Sequence, residues 1–86
     1  MKSKASQKFW KHFRQLPVAI QKLAAKQYKL WANDPGHPSL QFKKVQNYWS
    51  CRVTDSHRAL AVVDGDTALW FWIGSHSEYD RLIKRR

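Results

Sequence analysis

The chain has 86 residues, with 16 lysine and arginine residues against six acidic ones and a formal net charge of +10 at pH 7. This length accommodates one small domain and excludes two. No stretch reaches the roughly 18 apolar residues of a membrane-spanning helix. The single cysteine, Cys51, leaves no intramolecular disulfide, which fits a reducing compartment. We therefore expect one cytoplasmic domain over residues 1–86, with no membrane partner.

The charge is unevenly distributed along the chain. All six acids lie at Asp34 or later, whereas residues 1–33 contain eight lysine and arginine residues and no acid. Self-repulsion of this size favours a polyanion that relieves it. Nucleic acid, an anionic membrane surface or an acidic protein would serve as this polyanion. The alternative is that the charge only keeps the protein in solution.

The first half of the chain predicts a helical hairpin. Ser6 is a suitable N-cap for a first helix, and Pro17 both ends that helix and suits the first turn of a second one. The second helix is expected to end near Asn33, before the loop residues 34–38. One face of it is apolar, and another carries a basic stripe of Lys22, Lys26 and Lys29. Residues 1–5 are short and polar and are predicted to be a disordered tail.

The second half predicts strands and a last helix. Strands are predicted where apolar and polar side chains alternate or where the sequence is mostly apolar, in residues 40–45, 49–54 and 58–63. Asp64-Gly65 is a strong signal for a hairpin turn. Residues 67–73 are apolar almost throughout, which predicts a strand that is covered on both faces and lies at or near the centre of the sheet. A short helix is expected from Ser75 onward. The fold class is α+β: a helical hairpin packed on a small antiparallel sheet of three or four strands, with a short C-terminal helix.

Basic residues on consecutive strands form the first candidate site. Arg52 and Arg58 lie close to either side of a predicted turn, and side chains on one face of neighbouring strands cluster. Arginine binds phosphate bidentately, so we assign these two, with Lys43 or Lys44, to phosphate binding. Adjacent strand residues face opposite sides, which leaves open whether both lysines take part. The alternative is that these basic side chains are only solvated residues of the strands and bind nothing.

Titratable residues after the last strand form the second candidate group. His76, Glu78 and Tyr79 follow Gly74 within five residues, and histidine suits general acid–base chemistry near neutral pH. The alternatives are a capping or surface histidine and a tyrosine that packs under the final helix. We expect Asp80 to be a helix-terminal charge or an arginine partner.

The remaining histidines and the cysteine predict no further chemistry. We expect His37 and His57 to be structural, His12 to be inert and Cys51 to be a core residue. These residues show no close-paired ligand spacing, and the three glycines are isolated. We therefore predict neither a metal site nor a cofactor.

The order and spacing of these segments from about Phe9 to Ile83 resemble the RelE/ParE toxin superfamily of bacterial toxin–antitoxin systems. The segments that carry the resemblance are Leu16-Pro17 with Ile20-Gln21, Asp34-Pro35-Gly36-His37-Pro38-Ser39-Leu40, Phe42-Lys43-Lys44-Val45, Trp49-Ser50-Cys51-Arg52-Val53, His57-Arg58-Ala59-Leu60 and Ile73-Gly74-Ser75-His76-Ser77-Glu78-Tyr79. Family members usually begin with a β-strand, which residues 1–5 do not predict.

The resemblance implies a function. RelE-like members are ribosome-dependent mRNA endoribonucleases, and Gly74-Ser75-His76 is similar to the segment that carries a catalytic histidine in YafQ-type members. By this resemblance, Arg52 and Arg58 would stabilise phosphate charge, His76 would be the acid, Glu78 or a lysine the base, and Tyr79 would orient a nucleotide base. It also implies an acidic antitoxin partner, with the ribosome and mRNA as targets. The candidate RNA-binding residues are then Lys43, Lys44, Lys22, Lys26 and Lys29. The alternatives are a ParE-like inhibitor of DNA gyrase and a basic nucleic-acid-binding module without toxicity.

Overall fold

Three α-helices and a five-stranded sheet make up the computed structural model, which describes residues 1–84. The elements in chain order are β1 (Lys2–Ala5), α1 (Gln7–Arg14), α2 (Val18–Asn33), a short 3₁₀ helix (Pro38–Leu40), β2 (Lys43–Val45), β3 (Tyr48–Thr54), β4 (His57–Asp64), β5 (Thr67–Ser75) and α3 (His76–Lys84). The strand order is β1-β5-β4-β3-β2, and every pair is antiparallel except β1 with β5. The predicted α+β class, helical hairpin and C-terminal helix are confirmed.

The N-terminal residues form a strand, so the predictions of a disordered tail and of three or four strands were wrong. Lys2–Ala5 pairs in parallel with Thr67–Trp70 of β5, and the Ser6 amide donates to the Trp70 carbonyl at 3.0 Å. The backbone of β5 supplies this pairing, which needs no apolar side chains in β1. Lysines are common on edge strands because they discourage pairing with other chains.

The helix boundaries follow the predicted capping residues. The Ser6 side chain accepts a hydrogen bond from the Phe9 amide at 3.1 Å, which caps α1. Pro17 immediately precedes α2, and α2 ends at Asn33 as expected. The N-cap position of Ser6 matches the intrinsic preference of serine, whereas Pro17 occupies the N-cap, one residue before the position that proline prefers.

The helical hairpin covers one face of the sheet, which we call the hairpin face. Trp31 of α2 is 1% exposed and packs edge-on against Trp70 of β5, with ring centroids 5.3 Å apart. Cys51, Ala59 and Ile73 belong to the same buried cluster. Large aromatic side chains bury about 150–250 Å² each, which compensates for the small size of this core.

The opposite sheet face, which we call the α3 face, is covered only in part. It includes the cross-strand row Ser50–Leu60–Trp72, whose three residues are buried. Helix α3 packs on β4 and β5, and the Gln46 side chain donates to the Ile83 carbonyl. Nearer the start of β5, Leu69 is 41% exposed. The strand is thus paired on both edges, as predicted, but its first half is not covered on both faces.

Candidate functional site

Two arginines stand opposite each other on the α3 face. Arg52 of β3 pairs with Arg58 of β4, and Arg58 pairs with Gly74 of β5. Like charges directly opposite one another on a sheet are destabilising unless an anion compensates them. A β-bulge between Arg52 and Thr54 interrupts the strand register at this point, and such bulges often lie beside functional sites because they redirect side chains.

Residues 54–57, which we call the β3–β4 turn, hold both guanidinium groups. Arg58 Nη1 donates to the Thr54 carbonyl at 2.6 Å and to the His57 carbonyl at 2.9 Å. Arg52 Nη2 forms an ion pair with the Asp55 carboxylate, and its Nη1 lies 3.4 Å from the Ser39 carbonyl. Among residues 1–84, the hydrogen bonds of the Arg58 guanidinium use Nη1 alone. Backbone carbonyls therefore fix Arg58 while its other donors remain for an anion, whereas Arg52 is held by a carboxylate.

Asp55 is the carboxylate that neutralises Arg52 in this arrangement. Its side chain is 95% exposed, and the hydrogen bond and positive charge of Arg52 lower its pKa below the usual range. A phosphate that binds Arg52 through both Nη atoms has to displace this carboxylate. Asp55 was not among the predicted site residues.

His76 meets the same turn from the start of α3. Its backbone amide donates to the Ser56 carbonyl at 2.7 Å, and the preceding residue, Ser75, pairs with His57. The imidazole is 43% exposed, and Nδ1 lies 3.1 Å from Asp80 Oδ2. Arg52 and Arg58 thus contact the β3–β4 turn through their guanidinium groups, and His76 contacts it through its backbone amide, although His76 is far from both arginines in sequence.

Glu78 caps α3. Its Oε1 accepts hydrogen bonds from the Ser75 amide at 3.2 Å and the Ser75 hydroxyl at 3.1 Å, while the Ser75 hydroxyl oxygen accepts from the Glu78 amide at 3.2 Å. This is a capping box. These hydrogen bonds lower the pKa of Glu78, whereas an efficient general base has a pKa near the working pH. The arrangement favours a structural role for Glu78 over the predicted one as base.

Tyr79 and Asp80 flank the histidine on α3. The Tyr79 ring is half-buried and lies 5.6 Å from the His76 ring, centroid to centroid. Asp80, expected as a helix charge or arginine partner, instead pairs with His76 four residues earlier on the helix. The i,i+4 spacing of His76 and Asp80 is visible in the sequence and could have identified this pair.

The candidate lysines divide between two surfaces. Lys43 pairs with Ser50, which places it on the α3 face with the arginines, whereas Lys44 pairs with Trp49. The Trp49 ring lies 4.9 Å from Phe42, which in turn contacts Trp31, so Lys44 belongs to the hairpin face. The exposed stripe of Lys22, Lys26 and Lys29 also lies on the hairpin side, on α2.

The other histidines and the cysteine make local contacts. His37 Nδ1 accepts from the Ser39 amide at 3.2 Å, and His57 Nδ1 lies 3.0 Å from the Thr54 hydroxyl. The His12 ring lies 6.3 Å from Trp72. Cys51 is buried, and burial raises its pKa to about 12, as expected for a core thiol.

Within residues 1–84, no three side chains of the metal-binding types come together to hold an ion. In the same part of the chain, no helix is long and apolar enough to span a membrane.

Comparisons with known proteins place this geometry in a family. The model of the ParE-like toxin domain matches residues 18–81. No curated protein sequence matches the chain. Among solved structures, RelE in the RelB–RelE antitoxin–toxin complex from Methanococcus jannaschii is 23% identical, with a TM-score of 0.71 over 90% of this chain and 95% of that one.

Two bacterial toxins have the same fold. The YoeB/ParE toxin from Agrobacterium tumefaciens is 16% identical, with a TM-score of 0.68 over 88% of this chain and 99% of that one. YafQ from Escherichia coli is 13% identical, with a TM-score of 0.66 over 91% and 96%. At these identities the structural likeness concerns the fold.

Proposed function

The chain belongs to the ParE-like toxin family within the RelE/ParE superfamily, and we propose that it is the toxin of a toxin–antitoxin pair and cuts ribosome-bound mRNA. The observation that carries the nuclease proposal is the convergence of Arg52, Arg58 and His76 on the β3–β4 turn. Two guanidinium groups can stabilise the charge of the phosphate, and one histidine can protonate the leaving oxygen, which leaves only a base for the 2′ proton to be supplied.

RNA carries its own nucleophile, the 2′-hydroxyl. As the 2′ oxygen bonds to phosphorus, negative charge grows on the phosphate oxygens, and Arg52 and Arg58 stabilise it electrostatically. His76 in its protonated form gives a proton to the 5′ oxygen while the bond from phosphorus to that oxygen breaks. Lys43 lies on the same sheet face, and its neutral amine form is the candidate to accept the 2′ proton and become an ammonium, since Glu78 is engaged in capping α3.

The same proposal includes an acidic antitoxin. The net charge of +10 on a small domain favours a partner of opposite charge, and the RelE neighbour from M. jannaschii was solved together with an antitoxin. An acidic chain that covers the basic surfaces would also stabilise the toxin by mass action, because it binds only the folded state.

Matched substitutions test the nuclease proposal. Ribosomes carrying mRNA are incubated with purified toxin, and cuts are mapped by primer extension. We expect Arg58→Ala to reduce cleavage about 100-fold, the effect of removing one transition-state donor. Lys43→Ala is expected to reduce cleavage, whereas Lys44→Ala, an adjacent exposed lysine on the other face, should not. Equal activity of Arg58→Ala and the wild type would refute the assignment.

Inhibition of DNA gyrase is the second candidate function, and the family match favours it. ParE-like members of the superfamily act in this way, with the basic surface as a protein contact. Expression of the toxin would then reduce DNA supercoiling while mRNA stays intact. A plain nucleic-acid-binding role, based on the lysine stripe of α2, would instead give steeply salt-dependent binding without toxicity.

A further inference from the structure

We propose that Asp80 is a positioning residue, which holds the His76 imidazole with Nδ1 protonated and Nε2 available for proton transfer. The two residues face each other across one turn of α3, with 3.1 Å between Asp80 Oδ2 and His76 Nδ1. The catalytic part of this inference rests on the proposed nuclease function, whereas the ring tautomer does not.

The surrounding contacts anchor the first turn of α3, which carries His76. The His76 backbone amide is bonded to Ser56 of the β3–β4 turn, and the capping box of Ser75 and Glu78 holds the first turn of α3. Asp80 is thus presented by a helix whose start is anchored to the same turn as the arginines. Asp80 Oδ2 lies within ion-pairing distance of Nδ1, and because a carboxylate only accepts hydrogen bonds, a ring with a proton on Nδ1 is the state that it stabilises.

This arrangement defines which nitrogen reacts. In the imidazolium both ring nitrogens carry a proton, and Nδ1–H stays bonded to Asp80. Nε2 then donates its proton to the departing 5′ oxygen as the bond from that oxygen to phosphorus breaks, while the 2′ oxygen forms the new bond to phosphorus. His76 is left neutral with the proton on Nδ1, which is the tautomer that Asp80 stabilises.

Two variants separate the hydrogen bond from the charge. Asp80→Ala removes the acceptor, whereas Asp80→Asn keeps an acceptor oxygen at the same position. Both remove one negative charge from the N-terminal half of α3, so they alter the helix-dipole interaction equally. Any difference between them therefore reports on the bond to His76.

The direct readout is the ¹⁵N spectrum of the His76 ring in alkaline buffer, where the ring is neutral. We expect the Nδ1–H tautomer in the wild type and in Asp80→Asn, and a shift toward Nε2–H in Asp80→Ala. In ribosomal cleavage, Asp80→Ala should lower kcat about tenfold, a part of the roughly 10²–10⁴-fold that acid–base catalysis contributes. KM should stay unchanged, and Asp80→Asn should restore most of the rate.

An Asp80→Ala ring that keeps the wild-type tautomer would overturn the proposal, as would equal cleavage rates for the two variants. If the wild type cuts no mRNA, the proposed function fails. The tautomer comparison then decides the role of Asp80 by itself.

Discussion

Gly74 is the position at which even the methyl group of an alanine is expected to disturb the packing most. A Cβ at this residue would lie 2.6 Å from Trp72 Cζ2, 3.1 Å from Trp72 Cη2 and 3.0 Å from Glu78 Oε1. The Trp72 ring is 6% exposed and cannot swing into solvent at low cost. Overpacking of this kind costs about 1–3 kcal/mol. Moving the Glu78 carboxylate instead would break its hydrogen bonds to Ser75.

We therefore expect Gly74→Ala to lower the free energy of unfolding by about 2 kcal/mol, which for a domain of this size corresponds to a Tm about 10 °C lower. Urea and thermal unfolding measure both quantities. Gly36→Ala is the matched control, because its nearest atom, Asp34 Oδ1, lies at an ordinary 3.7 Å. The control should be unchanged or slightly more stable, since alanine restricts the unfolded chain. Equal unfolding midpoints for the two variants would refute this view of the packing.

Three further predictions concern the N-cap of α3, the ion pair of Arg52 with Asp55, and the buried thiol of Cys51. Ser75→Ala removes the N-cap of α3 and should destabilise the protein by about 1 kcal/mol; an unchanged Tm would contradict this. Asp55→Asn frees Arg52 and should tighten binding of a short RNA at pH 7, and weaker binding would show that Asp55 serves only to hold the arginine. Because Arg52 lowers the Asp55 pKa, the stability from this ion pair is present at neutral pH and is lost as the pH falls through that lowered pKa. The unfolding free energies of the variant and the wild type should therefore converge in acid. Cys51, whose pKa is raised to about 12, should react with thiol reagents only as fast as the protein opens, and labelling as rapid as in urea would argue against burial.

Local signals in the sequence predicted most of the fold. Ser6 defines a helix start through its side-chain hydroxyl and Pro17 through its fixed φ, and Gly65 takes the left-handed conformation, with φ of 62°, in the predicted hairpin. The strand β1 could not be predicted in this way. Its residues carry no apolar pattern, and the hydrogen-bonding groups that order it belong to β5, more than 60 residues away.

The sequence indicated which residues to consider for the candidate site but not their geometry. The alternation around Cys51 placed Arg52 on the outer face, and pairing then brought Arg58 opposite it. The sequence left open which of Lys43 and Lys44 accompanies them, because this depends on the register between β2 and β3. The Ser-x-x-Glu spacing that makes Glu78 a capping residue was present in the sequence, but a carboxylate beside a histidine also fits catalysis.

A single-atom change in the substrate tests the central claim most directly. An mRNA that carries one 2′-deoxynucleotide at the mapped cleavage position is bound to ribosomes and exposed to the toxin, next to the unmodified message. The proposal predicts that the unmodified message is cut to an end bearing a 2′,3′-cyclic or 3′-phosphate and that the deoxy position resists. Cutting at the deoxy position, or intact mRNA together with a loss of gyrase supercoiling activity, would contradict it.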